Sequence, residues 1–305
     1  MVGYVLRRIL TLGPVLLAVA LITFLLMHAV PGGPWDTEKP LDPVTVAGLN
    51  RKYGLDEPLW RQFLLFLANA LRGDLGVSYM NQGRPVTEIL SDGLLTSATL
   101  GGASLAVGLT LGLALGLAAA LRRNSALDRA TSIASACAAS TPTFVLGAFL
   151  VALFSVRLHW LPASGWGSLQ QMVMPVAVLA ALPAAYIARV SRAALLEVLD
   201  EEYIRTARSK GLPERTVLLR HTVRNGLVPV ITVVGPVAAA LVTGSFIVES
   251  FFSIPGTGRL FVQAVFARDY GLIMGATLFY ASIVVVANLI VDLLCAAVDP
   301  RIRYE

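Results

Sequence analysis

Few side chains in this 305-residue chain are spaced for catalysis. Hydrolysis of ATP at a phosphate loop needs a Gly-x-x-x-x-Gly-Lys-Ser/Thr run, whose backbone N–H groups cradle phosphate while the lysine meets its charge. The three lysines, Lys39, Lys52 and Lys210, each follow a residue other than glycine, so this Walker A run is absent. His28, His159 and His221 are scattered and form no His-Glu-x-x-His pair. His28 and His159 fall near expected membrane boundaries and read as interfacial groups rather than metal ligands. Cys137 and Cys295 lie far apart in apolar runs, outside any Cys-x-x-Cys, and read as small buried hydrophobes. No Ser/His/Asp set can be nominated from spacing. The chain reads as non-catalytic, with no cofactor or metal of its own. Two carboxylates remain, Glu249 and Asp292, each inside an apolar run. Ionisable groups at membrane depth are costly and point to function by default. The blander reading is a packing or salt-bridge role near a helix end, against a gating role. So few such groups argue against a proton- or sodium-coupled carrier and for an external energy source.

The elements that must position these groups belong to a bilayer. Hydrophobic residues make up 56% of the chain, charged residues 14%, and the mean hydropathy is +0.73. A soluble chain carries roughly 25% charged residues. The net charge of +5 does not indicate nucleic acid, because the basic residues sit in short segments between apolar runs. Six segments are long and apolar enough to span: residues 9–30, 98–121, 130–156, 172–189, 227–252 and 272–298. The first follows Arg7 and Arg8 like a signal peptide. It is nonetheless long enough to cross, and Val30-Pro31-Gly32-Gly33 is no cleavage site, so a retained helix is expected. Pro14, Pro142, Pro175, Pro183, Pro229 and Pro236 fall within spans, where each frees a carbonyl that a packed bundle or a watery path must satisfy. With the N-terminus inside, fifteen of the 24 lysines and arginines face the cytoplasm, and both termini are expected there. The sequence therefore predicts an all-α membrane protein with six transmembrane helices. Residues 1–97 would form a first helix plus an extracytoplasmic cap, 98–298 a core, and 299–305 a short cytoplasmic tail. In the cap, Leu59, Phe63, Leu67 and Leu71 recur at i+4 and predict a surface helix with one apolar stripe.

The inside loop, residues 190–226, carries the strongest pattern. Glu197, Asp200, Glu201 and Glu202 precede Arg205, Arg208 and Lys210, an order that suits a helix dipole at both ends. Gly211 stops that helix and Pro213 opens the next. At 100° per residue, Tyr203, Ile204, Ala207 and Gly211 share one face, and Arg205, Arg208 and Ser209 the other. A merely solvated basic loop would explain the arginines but not the order helix–Gly–Pro–helix.

The run Tyr203-Ile204-Arg205-Thr206-Ala207-Arg208-Ser209-Lys210-Gly211-Leu212, closed by Asn225-Gly226-Leu227-Val228-Pro229, resembles the cytoplasmic loop of binding-protein-dependent ABC importer permeases. Arg205-Thr206-Ala207 stands where the wider family has Glu-Ala-Ala, as in its peptide branch. The resemblance extends to Tyr4-Val5-Leu6-Arg7-Arg8, Lys52-Tyr53-Gly54-Leu55-Asp56-Glu57-Pro58, Arg72-Gly73-Asp74-Leu75-Gly76, Thr141-Pro142-Thr143-Phe144, Ile254-Pro255-Gly256-Thr257-Gly258, Arg268-Asp269-Tyr270 and Val298-Asp299-Pro300-Arg301. These are similar to the B-type permeases of oligopeptide and dipeptide systems. A short outer loop with Pro34-Trp35-Asp36-Thr37-Glu38 leans to the oligopeptide type.

What the resemblance implies is a type-I ABC importer permease fold in the bacterial inner membrane. A C-type permease, two ATPase subunits that bind ATP and Mg, an extracytoplasmic peptide-binding protein and a peptide substrate would be its partners. Tyr203, Ile204, Arg205, Thr206, Ala207, Arg208, Lys210, Gly211 and Leu212 would form the coupling helix, docking by its small, apolar face in a groove of one ATPase. Same-family importers of nickel, glutathione or opines are the near alternatives. A secondary carrier or channel, or an assembly scaffold, is the distant one.

Overall fold

A computed structural model describes residues 2–36, 41–81 and 83–298, without the side chains of residues 2–11, 242 and 291–298. The tail 299–305, Thr37 and Glu38, and the side chains of Asp292 and Cys295 therefore lie outside the described residues. Helices run in the order α1 (Val2–Ala29), α2 (Pro43–Tyr53), α3 (Leu59–Ala70), α4 (Val86–Leu121), α5 (Ala126–Ser140), α6 (Thr143–Arg157), α7 (Leu169–Leu199), α8 (Glu202–Ser209), α9 (Glu214–Gly226), α10 (Val228–Val242), α11 (Phe246–Phe251), α12 (Thr257–Phe266) and α13 (Tyr270–Val298). Among the described residues there is no strand, only an isolated bridge between Val77 and Pro85.

Among the described residues, four stretches are long and apolar enough to cross a membrane: Leu12–Ala29, Val86–Leu121, Leu169–Leu199 and Tyr270–Ile290. Six crossings result if two bent pairs each count as one. In the first pair, α5 and α6 meet at 106°, so the expected span 130–156 is two half-helices. The break falls at Thr141-Pro142, because proline pushes the residue before it out of the helical region and Thr141 is extended (ψ 121°). In the second pair, α9 and α10 meet at 51°. The expected span 227–252 also stops early. Gly244 takes φ +90°, and Ser245 then caps the separate helix α11 through the Val248 N–H at 3.4 Å.

The chain divides into two compact units. One comprises residues 1–95 and 256–285. In it, Val86, Ile89 and Leu90 pack on Ala264, Leu272 and Ala276. A second cluster joins Ala20, Phe24 and Met27 of α1, Phe63, Phe66 and Leu67 of α3, and Met274 and Leu278 of α13. The stripe of α3 is thus Phe63–Phe66–Leu67. Leu59, on the same side but in the first turn, stays half-exposed, and Leu71, just past the helix, is 90% exposed, because i+4 steps on a helix of 3.6 residues per turn drift off the packed face.

The other unit comprises, among the described residues, 96–255 and 286–298. Its core gathers Leu100, Met174, Val178, Leu179, Val248, Phe252 and Ile254. Helix α7 is central and opens with a capping box, in which the Ser168 hydroxyl accepts from the Gln171 N–H at 3.3 Å and the Gln171 side chain accepts from the Ser168 N–H at 3.1 Å. Against it lies a glycine stripe on α4, Gly108–Gly112–Gly116. A Cβ on Gly112 would stand 2.8 Å from the Ala184 carbonyl oxygen, and one on Gly116 would collide with the Ser191 hydroxyl. Small residues at i, i+4 and i+8 let two backbones approach where lipid supplies no hydrophobic drive. Cys137, expected to be buried, is exposed on a face of α5 that this chain does not cover.

Candidate functional site

The loop 190–226 folds as an elbow. Helix α7 ends at Leu199, Glu201 caps α8, and α8 closes at Lys210. The turn that follows is a Schellman motif. The Leu212 N–H reaches the Ala207 carbonyl at 3.4 Å and the Gly211 N–H reaches the Arg208 carbonyl at 2.9 Å, with Gly211 at φ +73°. Pro213 then caps α9, whose middle widens into π-helical turns over Val217–Val223.

The apolar face of α8 is already taken. Ile204 (0% exposed) and Ala207 (7%) pack on Val217 of α9, with Val198 of α7 beside them. Within this chain, then, the face expected to meet an ATPase through Ala207 and Ile204 is covered by the next helix: periodicity marks a face that must be covered, not by what. What α8 presents outward is Arg205, Arg208 and Ser209, with Tyr203 half-exposed and Thr206, Lys210 and Leu212 also accessible. The cations are not equivalent. Arg208 bridges the turn to Glu214 through two bonds, 2.8 and 3.3 Å, and these hold its guanidinium pKa further above its ordinary value. The Tyr203 hydroxyl accepts from the Asn225 side chain at 3.0 Å, so the far end of α9 is tied back as well.

Of the two carboxylates, Glu249 is fully buried in α11, where it accepts from the Ser97 hydroxyl at 2.7 Å. That fits the packing role. Asp292 falls in α13, with its side chain outside the described residues.

Two further polar centres escaped the sequence reading. Asp128, buried on α5, takes a two-bond clamp from Arg192 of α7 at 2.5 and 2.8 Å, plus the Asn124 N–H at 2.9 Å. Asp269 is buried ahead of α13. It accepts from the Ser78 hydroxyl, the Tyr79 N–H (3.0 Å), the Met80 N–H (3.3 Å) and the Leu272 N–H (3.1 Å), so one carboxylate caps the helix and holds the turn around Ser78. Burial, helped by the Asp269 charge, pushes the neighbouring Tyr79 hydroxyl up to about 12. The available signal for Asp269 was an aspartate just ahead of an apolar run. Among the described residues no three His, Cys, Asp or Glu side chains gather as a metal site would require.

Helices long and apolar enough to cross a membrane several times, with a polar elbow between two of them, define a multi-pass α-helical membrane protein. Residues 112–304 match the family described as "Binding-protein-dependent transport system inner membrane component", and residues 1–100 match its N-terminal partner, "Binding-prot-dependent transport system membrane comp, N-term". The chain belongs to this family of transport-system membrane components. It is 39% identical to a dipeptide transport system permease protein of Lactococcus lactis over 303 residues, covering 99% of this chain and 100% of the relative. It is 38% identical to an oligopeptide transport system permease protein of Haemophilus influenzae over 306 residues, covering both chains fully. Among solved structures, the inward-facing MetNI methionine ABC transporter aligns with TM-score 0.60 at 20% identity, over 72% of this chain and all of that one. An amino acid ABC transporter aligns with TM-score 0.52 at 19% identity, over 71% and 95%. The chain thus has the type-I ABC importer permease fold.

Proposed function

We propose that this chain is a B-type permease subunit of an ATP-driven peptide importer in the bacterial inner membrane. The observation that carries the substrate class is the end-to-end similarity to both dipeptide and oligopeptide permease proteins. The short outer loop favours oligopeptides. Both termini face the cytoplasm. The chain pairs with a C-type permease around a central path and does no catalysis itself. Two ATPase subunits bind ATP and Mg beneath the pair, and an extracytoplasmic binding protein delivers peptide.

The coupling element is α8 with its turn. Its packed inner face makes α7, α8 and α9 one body, so a push on α8 moves the base of α9. The docking face is the outward one, led by Arg205. ATP binds the closed ATPase dimer better than the open one, and that difference in affinity supplies the free energy of the switch.

The test is reconstitution with partner subunits in proteoliposomes. Peptide uptake should require ATP and loaded binding protein. Arg205→Glu should cut uptake and peptide-stimulated ATPase activity without lowering the yield of the permease pair. Uptake that persists without ATP, or no uptake of any peptide by an assembled complex, would overturn the reading.

A further inference from the structure

Helix α3 has two apolar faces. The inner one, Phe63, Phe66 and Leu67, packs on α1 and α13 as described. The outer one carries Trp60, Leu64, Leu65 and, just past the helix, Leu71, each about half exposed or more.

How deep α3 sits follows from the cluster its inner face joins. Phe63 meets Phe24 in a tilted ring contact, with centroids 5.3 Å apart. Phe24 and Ala20 lie within the span Leu12–Ala29, and Met274 and Leu278 within the span Tyr270–Ile290. At a rise of 1.5 Å per residue, Phe24 is about 8 Å and Ala20 about 13 Å from the Ala29 end, and Leu278 is about 12 Å from Tyr270. A helix that reaches residues at this depth does not rest on the headgroups. It lies beside the spans.

The charges agree. At one end Glu57 and Arg61 pair at 2.8 Å, and at the other stand Arg72 and Asp74. From Gln62 to Leu71 there is no charged residue. At about 18 Å long, α3 is too short to cross a hydrocarbon core of about 30 Å. Trp60 sits at its charged end, where an indole suits the water–lipid boundary. The outward residues of α1 at the same level, Ile22, Leu25 and Leu26, are exposed too, so the outer face of α3 continues an apolar belt that already belongs to the bilayer.

We propose that α3 is a membrane-embedded interfacial helix whose Trp60–Leu64–Leu65–Leu71 face is covered by the acyl chains of one leaflet. It wedges against α1 and α13 and anchors α2 and the loop around Trp35 to the membrane. Only the identity of the leaflet rests on the topology proposed above.

The experiment is spin-label accessibility on the full chain, in the complex in which it purifies, in nanodiscs of phosphatidylethanolamine and phosphatidylglycerol. Single labels go on Leu64→Cys, Leu65→Cys and Leu71→Cys after Cys137 and Cys295 are replaced by alanine. Val44→Cys on α2 is the aqueous control. Labels at 64, 65 and 71 should collide several-fold more often with oxygen than with a water-soluble nickel chelate, at a depth of about 5–10 Å below the phosphates. The label at 44 should show the reverse. Nickel exceeding oxygen at 64 and 65 would put the face in water and overturn the proposal. Exclusion of both reagents would mean a protein partner covers it, and so would immobilisation of the labels by added binding protein. Either of those outcomes overturns the proposal too. The readout needs no transport, so failure of peptide uptake leaves it standing.

Discussion

Replacing Gly211 separates backbone strain from steric contact at the proposed coupling elbow. Gly211 holds φ +73°, and a Cβ built there meets no atom of this chain within 4 Å. A side chain therefore collides with nothing, and the whole cost is conformational. For an L-residue the left-handed region costs about 1–2 kcal/mol, and more for a β-branched one. That is a roughly 5- to 30-fold loss in the population of the native turn. Two hydrogen bonds of the Schellman turn go with it, and the Arg208–Glu214 bridge loses its geometry. The order expected is Gly211→Asn mildest, since asparagine visits this region, then Gly211→Ala, then Gly211→Val. Uptake and peptide-stimulated ATPase activity in proteoliposomes should fall in that order, while the permease pair still inserts. If valine matches wild type, the turn is not under load and α8 is not the coupling element. If asparagine is as damaging as valine, φ is not the cause, and a partner's close approach to Gly211 replaces strain as the explanation.

Three other outcomes follow from packing. Gly112→Leu should drive α4 from α7, costing on the order of 1–3 kcal/mol and lowering the melting temperature of the purified chain. Gly102→Ala, where nothing lies within 4 Å, should leave it unchanged or slightly raised, and equal melting of the two variants refutes the close approach. Ser97→Ala takes a donor from the buried Glu249 carboxylate at a cost of about 1–3 kcal/mol, read as a lower melting temperature, and wild-type melting would show the bond is idle. Ala207→Trp should destabilise the chain by itself through the contact with Val217, again by about 1–3 kcal/mol. If it melts like wild type and only fails to hold ATPase subunits, the apolar face of α8 belongs to the partner after all.

Much of this architecture is legible in the sequence because a bilayer enforces simple rules. Apolar runs of sufficient length located most crossings, and the helix–Gly–Pro–helix order anticipated both α8 and the left-handed glycine. The misses have physical causes. Apolar residues flank Thr141-Pro142 on both sides, so hydropathy joins two half-helices that the proline separates by 106°. Gly108, Gly112 and Gly116 are near neutral in a hydropathy count, yet their use is steric, and it shows only once Ala184 and Ser191 lie opposite. Asp269 was visible as part of the Arg268-Asp269-Tyr270 run and as an aspartate just ahead of an apolar run. Its work depends on Ser78, far away in sequence.

The face of α8 makes the same point about mechanism. An amphipathic period says that one side of a helix is covered, not by what. With Ile204 and Ala207 seated on Val217, the cover is internal, and in the proposed mechanism the external contact falls to the polar side. This arrangement suits a lever better than a plug would. An apolar plug held only by its partner would move with the ATPase and leave α9 behind. A helix fastened to α7 and α9 by its own core, by the Gly211 turn and by the Tyr203–Asn225 bond must carry α9 with it. Helix α9 meets α10 at 51°, and Asn225, held by Tyr203, stands just ahead of that bend, with the π-helical turns at Val217–Val223 between the two points at which α8 holds α9. In the proposed mechanism, displacement of α8 therefore reaches the membrane through α9.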